Sequence, residues 1–196
     1  WFDATCENQK FAYLYAVATE PAARGRGLCR MLMEDTKNLL ASRGYYGLIL
    51  GPQKEPLRQM YAKMGYADCG GVSRFAAPAE DTPISIRRLT SEEYAAARRK
   101  LLPAGAVIQE GENLALLSSY AFFYQGQDFL AALTPDGDKL ICHELLGNPD
   151  AAYALVSALG CREGSFCMPG RDMAFAQYLP LREDCVEPQY FGLAFD

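Results

Sequence analysis

Two arginines and two glycines alternate at residues 24–27, directly before a segment with helical periodicity. The first turn of a helix leaves backbone N–H groups without partners, and the helix dipole adds partial positive charge there, so a nearby anion is stabilised. Gly25 and Gly27 let a large anion approach the backbone, and Arg24 and Arg26 add positive charge around it. The pattern therefore predicts a phosphate-binding turn at this point of the chain.

The segments on either side of this turn are predicted to be a strand and a helix. Residues 11–19 are rich in aromatic and β-branched side chains, which favours a strand. Residues 28–43 have helical periodicity, and Gly44 is suited to end the helix. Residues 45–50 are predicted to form a second strand, parallel to the first and joined to it by the helix. The predicted apolar face of the helix consists of Leu28, Cys29, Leu32, Met33, Thr36, Leu39 and Leu40. The alternative is an ordinary tight turn whose glycines serve packing alone.

The rest of the chain continues this α/β pattern in two units. The first unit is closed by a helix at residues 55–64 and by one or two strands at residues 66–77. The second contains a helix that opens with a capping box at residues 90–93, a hairpin around residues 135–138 and a helix that starts with Pro149 in its first position. We predict a mixed α/β sheet fold with a first unit at residues 1–77, a linker at 78–83 and a second, smaller unit at 84–196. The second unit lacks the phosphate turn, so any catalysis is expected in the first.

Composition limits the range of partners. The formal net charge of −5 argues against nucleic-acid binding, and no apolar run is long enough to cross a bilayer. The seven cysteines are scattered and only one histidine accompanies them, so neither a metal site nor a disulfide framework is expected. The sequence predicts a cytoplasmic protein without a metal, a nucleic-acid partner or a membrane partner.

The turn and its surroundings resemble the acetyl-CoA-binding core of the GNAT superfamily of N-acetyltransferases. That family's glycine motif is glutamine or arginine, two residues, glycine, one residue, then glycine or alanine. The chain matches it at Gly25 and Gly27 and departs from it at Ala22. The resemblance implies that acetyl-CoA places its pyrophosphate on the turn and its pantetheine arm along the preceding strand. The cofactor-binding residues implied are Val17, Ala18, Thr19, Arg24, Gly25, Arg26, Gly27, Leu28 and Cys29.

The same resemblance implies a catalytic tyrosine at Tyr61, placed to protonate the thiolate of departing coenzyme A. A phenol suits this role because it is neutral at pH 7 and can donate a proton to a basic thiolate. The alternative is that Tyr61 is a core residue, since it lies on the apolar stripe of its helix. Glu20, the carboxylate of Asp196 and His143 are candidates for the general base, which stays unassigned.

The resemblance implies an enzyme that transfers the acetyl group to a primary amine of a small molecule or peptide, by direct attack of the amine. Bacterial proteins of this kind pair a catalytic GNAT unit with a degenerate one, and a homodimer is compatible with this arrangement. Because only 10 residues precede Phe11, we expect either a fragment or a second unit that supplies missing sheet partners. The alternatives are a non-catalytic acyl-CoA-binding or regulatory module, and an interaction protein that uses the aromatic residues 120–124.

Overall fold

The protein is built on one mixed β-sheet, seen in a computed structural model that describes residues 1–193. Its eleven strands in this range are β1 (Phe2–Cys6), β2 (Gln9–Tyr13), β3 (Gly47–Leu50), β4 (Ala67–Pro78), β5 (Arg87–Leu89), β6 (Ile108–Gln109), β7 (Phe122–Gln125), β8 (Phe129–Asp136), β9 (Lys139–Gly147), β10 (Glu163–Pro169) and β11 (Met173–Pro180). The helices are α1 (Leu28–Ser42), α2 (Glu55–Ala62), α3 (Ser91–Leu101), α4 (Glu112–Leu117) and α5 (Ala151–Ala158). A single 3-10 turn, Pro21–Ala23, precedes α1.

The strand order is β5-β7-β8-β9-β10-β4-β11-β3-β2-β1-β6. Two neighbouring pairs are parallel: β2 with β3, joined through α1, and β9 with β10, joined through α5. We call these the first and the second crossover. The remaining neighbours are antiparallel. The predicted strand-helix-strand unit and the mixed α/β class are therefore confirmed.

The sheet runs through both halves of the chain. Strand β11, near the end of the chain, lies between β3 and β4, and the short strand β6 pairs with β1. Strands from the second half therefore complete the sheet of the first half on both sides. Strands from both sides of residues 78–83 belong to one hydrogen-bonded sheet. The division of the chain into two units at these residues therefore stays a prediction.

The capping box and the hairpin turn predicted from the sequence are present in the structure. Thr90 Oγ1 accepts a hydrogen bond from Glu93 N at 3.2 Å, and Glu93 Oε2 accepts one from Thr90 N at 3.0 Å, so the capping box is present at α3. Gly137 has a φ of 62° in the turn between β8 and β9. In contrast, the helix predicted to begin at Pro149 begins at Ala151, because Asn148 Oδ1 accepts from Asp150 N and holds residues 148–150 in a turn.

Helix α1 buries much less of its apolar face than its periodicity predicts. Met33 and Leu40 are buried against the sheet, but Leu28, Leu32 and Leu39 are exposed. Met31 is exposed as well. Only a narrow line of the predicted apolar face is therefore buried.

A buried ion pair anchors β9. Glu144 accepts hydrogen bonds from Arg98 Nε at 2.7 Å and Arg98 Nη2 at 2.9 Å. The hydroxyls of Tyr94 and Tyr190 donate to the same carboxylate at 2.6 and 2.8 Å. Arg98 and Glu144 are both shielded from solvent, so each needs the other and the tyrosines to replace lost hydration. The network ties α3 and the segment after β11 to the second crossover.

Residues 1–193 contain neither a membrane-spanning helix nor a cluster of metal ligands. No helix in that range has the length and apolar character needed to span a membrane. No group of three or more histidine, cysteine or acidic side chains there is arranged to hold a metal ion. The cysteines are free thiols; Cys29 and Cys185 are half-buried and the others are buried.

Candidate active site

The turn before α1 has the backbone geometry that glycine permits. Gly25 has a φ of 76° and Gly27 a φ of 75°, both in the left-handed region that other residues rarely adopt. Gly27 is the N-cap of α1. A Cβ added at either position would meet no atom within 4 Å, so the glycines are required by conformation and leave open space above the turn.

The start of α1 presents unpaired donors to this space. The first intrahelical bond runs from Met31 N to Gly27 O at 3.1 Å, so the N–H groups of residues 28–30 precede the helical ladder. Among residues 1–193 no side chain caps Gly27, and the first turn of α1 contains no acidic residue. Arg26 is exposed beside the turn. These donors and the helix dipole suit an anion.

Arg24 has a positioning role that the sequence does not reveal. Its Nε donates a hydrogen bond to Thr19 O at 3.2 Å. This bond joins the phosphate turn to the segment in front of it. A pyrophosphate on the turn and an extended chain along residues 17–19 would therefore be held in a fixed relation.

The strand predicted for residues 11–19 ends early, and that prediction was wrong at its carboxyl end. Strand β2 stops at Tyr13, and the last bond to β3 is from Leu14 N to Ile49 O at 2.8 Å. Ala16 has a φ of 54°, which turns the backbone out of the sheet. Val17, Ala18 and Thr19 therefore lie outside any strand, and the N–H groups of residues 16–18 have no backbone partner among the described residues.

A cavity of about 260 Å³ occupies the gap where β2 and β3 diverge. The segment up to Val17 lines one side, and the loop after β3, including Lys54, lines the other. Tyr61 of α2 also lines it. The fold thus brings Val17 and Tyr61 to one cavity, while Ala18, Thr19 and the turn at residues 24–29 lie outside its lining.

Tyr61 is held in an apolar environment. Its side chain is 6% exposed, and its ring makes an edge-to-face contact with Tyr66 at a centroid distance of 5.7 Å. Burial raises the pKa of Tyr61 to about 12, and the Cys29 thiol adds to the effect. Because Cys29 is in the first turn of α1, this interaction places the phenol close to the start of that helix. At neutral pH Tyr61 is a protonated hydrogen-bond donor at the cavity wall.

The base candidates are not gathered at this cavity. Glu20 is exposed beside the 3-10 turn and is not part of the lining. His143 is on β9 and lines a different cavity. Asp196 lies outside the described residues. Sequence reasoning missed Lys54 and the loop at residues 51–54; the signal available was its position after the carboxyl end of a parallel strand, where ligands often bind.

Comparisons with known proteins agree with this geometry. Residues 3–73 match the family model described as FR47-like protein. A GCN5-related N-acetyltransferase from Anabaena variabilis superposes with a TM-score of 0.66 at 12% identity, over 92% of this chain and 58% of that one. One from Kribbella flavida gives 0.62 at 17% identity, over 92% and 56%.

The chain has the GNAT fold. Eis1 from Mycobacterium abscessus also matches, with a TM-score of 0.63 at 14% identity, over 91% of this chain and 60% of that one. The chain thus spans a little over half the length of these three proteins. A search of curated protein sequences gave no match. At these identities the likeness establishes the fold alone.

Proposed function

We propose that the protein is an N-acetyltransferase that transfers the acetyl group of acetyl-CoA to a primary amine. The observation that carries the proposal is the cavity between the diverging ends of β2 and β3, which is lined by both Val17 and Tyr61. The glycine turn and the open start of α1 follow directly along the chain. The glycine turn would supply the anion site, residues 16–18 the free backbone N–H groups, and Tyr61 the buried proton donor.

The cofactor residues divide by the part of acetyl-CoA they would hold. The N–H groups of Leu28 and Cys29, with Arg26 beside them, suit the pyrophosphate. The unpaired backbone of Val17 and Ala18 suits the amide groups of the pantetheine arm, in the manner of an added strand. The bond from Arg24 to Thr19 fixes these two regions relative to each other. The thioester would then lie in the cavity near Tyr61.

The reaction that this arrangement supports is direct attack. The nitrogen of a neutral amine forms a bond to the thioester carbonyl carbon, and the C–S bond breaks as the thiolate leaves. The Tyr61 hydroxyl donates a proton to that sulfur, and the extra proton on the amine goes to a base or to water. Holding the two reactants together supplies much of the rate, and general acid catalysis adds about 10²- to 10⁴-fold.

The acceptor is proposed only as a class, a primary amine of a small molecule or peptide. The test is calorimetry of acetyl-CoA binding to the purified chain, followed by thiol release with a panel of amines that includes polyamines, aminoglycosides and lysine peptides. We expect binding together with release that depends on one class of amine. Binding without release from any amine would favour a non-catalytic acyl-CoA-binding module, and absence of binding would contradict the proposal.

A further inference from the structure

The two faces of the sheet differ at the cavity beside Tyr61. Along β2, Ala12 belongs to the apolar cluster that includes residues of α1 and α2. Its neighbours Phe11 and Tyr13 belong to the cluster that includes residues of α3 and α4. Because successive side chains of a strand point to opposite faces, these clusters lie on opposite sides of the sheet. We call the two sides the α1 face and the α3 face.

The lining of this cavity comes from both faces. Leu14, Leu50 and Tyr61 are in the cluster of the α1 face. Tyr13 is in the cluster of the α3 face, and Tyr15 packs against that cluster. The gap that opens where β2 and β3 stop pairing therefore reaches side chains on both sides of the sheet.

The residues assigned to the cofactor lie on the α1 face. Val17 and Cys29 pack against the apolar cluster of that face, to which Tyr61 belongs. Acetyl-CoA bound to these residues would bring its thioester into the cavity from the α1 face. The side that this leaves for the amine is the α3 face, with Tyr13 and Tyr15.

Aromatic rings form the cavity wall on the α3 face. The centroid of the Tyr15 ring lies 6.3 Å from that of Tyr13 and 5.9 Å from that of Phe2. Tyr13 also makes an edge-to-face contact with Phe191 at 5.1 Å. Tyr13 is buried and Tyr15 is half-buried, so Tyr15 is the more accessible ring of the two that line the cavity. Aromatic side chains favour a further ring placed edge-on or offset beside them.

The charge and the size of the cavity restrict the acceptor further. Among the described residues Lys54 is the one charged residue of the lining, and no aspartate or glutamate belongs to it. An acceptor with several positive charges would find no carboxylate to pair with and would be repelled by Lys54. The volume of about 260 Å³ is below the roughly 300–1,000 Å³ of most small-molecule sites, which favours a small acceptor.

On the basis of the proposed function, we propose that the acceptor is an aromatic monoamine, with one primary amine on a short chain that ends in an aromatic ring. The amine attacks the thioester from the α3 face, and the ring packs against Tyr15. Tyr15 is thus a specificity-determining residue. Polyamines and aminoglycosides lack the ring and carry additional positive charges, so they are poor acceptors.

The experiment measures kcat/KM for thiol release by the full chain with three amines. Phenethylamine is the aromatic monoamine, cyclohexylethylamine has the same skeleton without aromaticity, and diaminobutane has a second charge. We expect phenethylamine to exceed cyclohexylethylamine by about 2- to 10-fold, the range that one aromatic contact supplies. Diaminobutane should be at least about tenfold poorer than phenethylamine, since its second ammonium would lose water without gaining a partner.

A pair of variants tests the role of Tyr15. Tyr15→Leu removes the ring, so the ratio of phenethylamine to cyclohexylethylamine should fall close to one, while calorimetry shows unchanged acetyl-CoA affinity. The matched control is Tyr46→Leu. Tyr46 is also half-buried and packs against the cluster of the α3 face, but it does not line the cavity. This control should keep the ratio of the unmodified chain, and thermal melting checks that both variants are folded.

Four results would overturn the acceptor assignment and leave the proposed function intact. They are equal kcat/KM for phenethylamine and cyclohexylethylamine, a preference for diaminobutane, an equal change of the ratio in the two variants, or release only with other amines such as lysine peptides. Absence of acetyl-CoA binding, or binding without release from any amine, would instead contradict the proposed function, and the acceptor assignment would fail with it.

Discussion

The two crossovers of this sheet differ in how the chain passes from strand to helix. In the first, residues 14–27 separate β2 from α1 and contain the left-handed Ala16, Gly25 and Gly27. In the second, only residues 148–150 separate β9 from α5. The longer link leaves backbone donors open toward a cavity, whereas the shorter link turns directly into its helix. The same topology therefore leaves open N–H groups before the helix in one place and a tight turn in the other.

The helices of the two crossovers, α1 and α5, also differ in how deeply they are buried. Helix α5 is buried along its length through Ala152, Leu155 and Val156. Helix α1 is longer, and its Leu32 is 53% exposed. The second crossover is also anchored by the buried carboxylate of Glu144 on β9, which has no counterpart on β2 among the described residues. The first crossover is thus arranged around an open site, and the second is arranged around packing.

The largest expected effect is a loss of folding stability when the buried pair of Arg98 and Glu144 is broken. Arg98→Met would leave Glu144 buried without its cation, which typically costs about 3–5 kcal/mol of unfolding free energy. The matched control is Arg99→Met, because Arg99 pairs with Glu110 but is exposed, and such surface pairs contribute about 0–1 kcal/mol. Urea denaturation measures both. Equal losses in the two variants would contradict the anchoring role of the buried pair.

A second prediction concerns the glycine turn. Gly27→Val forces a β-branched residue into the left-handed region, so the start of α1 must shift and acetyl-CoA affinity should fall about 30- to 100-fold, since charged hydrogen bonds are lost. Gly137→Val is the control. Gly137 also has a positive φ with no atom near an added Cβ, but it lies in the hairpin between β8 and β9.

Calorimetry and thermal melting separate the two effects of these substitutions. Both variants should lose similar stability, about 1–2 kcal/mol, because both place a side chain in the same strained conformation. Only Gly27→Val should lose acetyl-CoA binding. If Gly137→Val weakens binding equally, the turn before α1 is not a specific anion site.

The smallest expected effect concerns the pH dependence of acetyl transfer, to which the ionisation of Tyr61 should make no contribution near neutral pH. Because burial raises the pKa of Tyr61 to about 12, its phenol is protonated throughout the neutral and mildly alkaline range and loses its proton only as the pH passes through about 12. Acetyl transfer should therefore rise with pH as the amine is deprotonated, and should show no decline from Tyr61 between about pH 7 and 10. A decline in that range that disappears in Tyr61→Phe would contradict this ionisation state.

Structural features that depend on a short stretch of sequence could be predicted. The capping box at Thr90, the turn at Gly137 and the parallel pairing of β2 with β3 depend on neighbouring residues or on one helical connection. The glycine turn before α1 was also visible. Its predicted partners, from Val17 to Cys29, stay predictions as cofactor contacts, although the fold sets Val17 and Tyr61 at one cavity.

Features that depend on distant parts of the chain could not be predicted. The insertion of β11 between β3 and β4 brings together segments separated by about a hundred residues of sequence, and no local pattern encodes it. Strand β2 ends at Tyr13, three residues before the positive φ of Ala16, and an alanine gives no sequence signal for that conformation. The two-residue strand β6 and the short helix α4 are too small to show a period.

The central claim is that the first crossover is a catalytic acetyl-CoA site with Tyr61 as the proton donor. The most direct measurement is the rate of thiol release at saturating acetyl-CoA for the unmodified chain, Tyr61→Phe and Tyr66→Phe. Tyr66 is the matched control, because it is a buried tyrosine in ring contact with Tyr61 but does not line the cavity beside it. The account predicts a loss of about 100-fold or more for Tyr61→Phe with unchanged acetyl-CoA affinity, and a small change for Tyr66→Phe. Equal rates in all three proteins would contradict it.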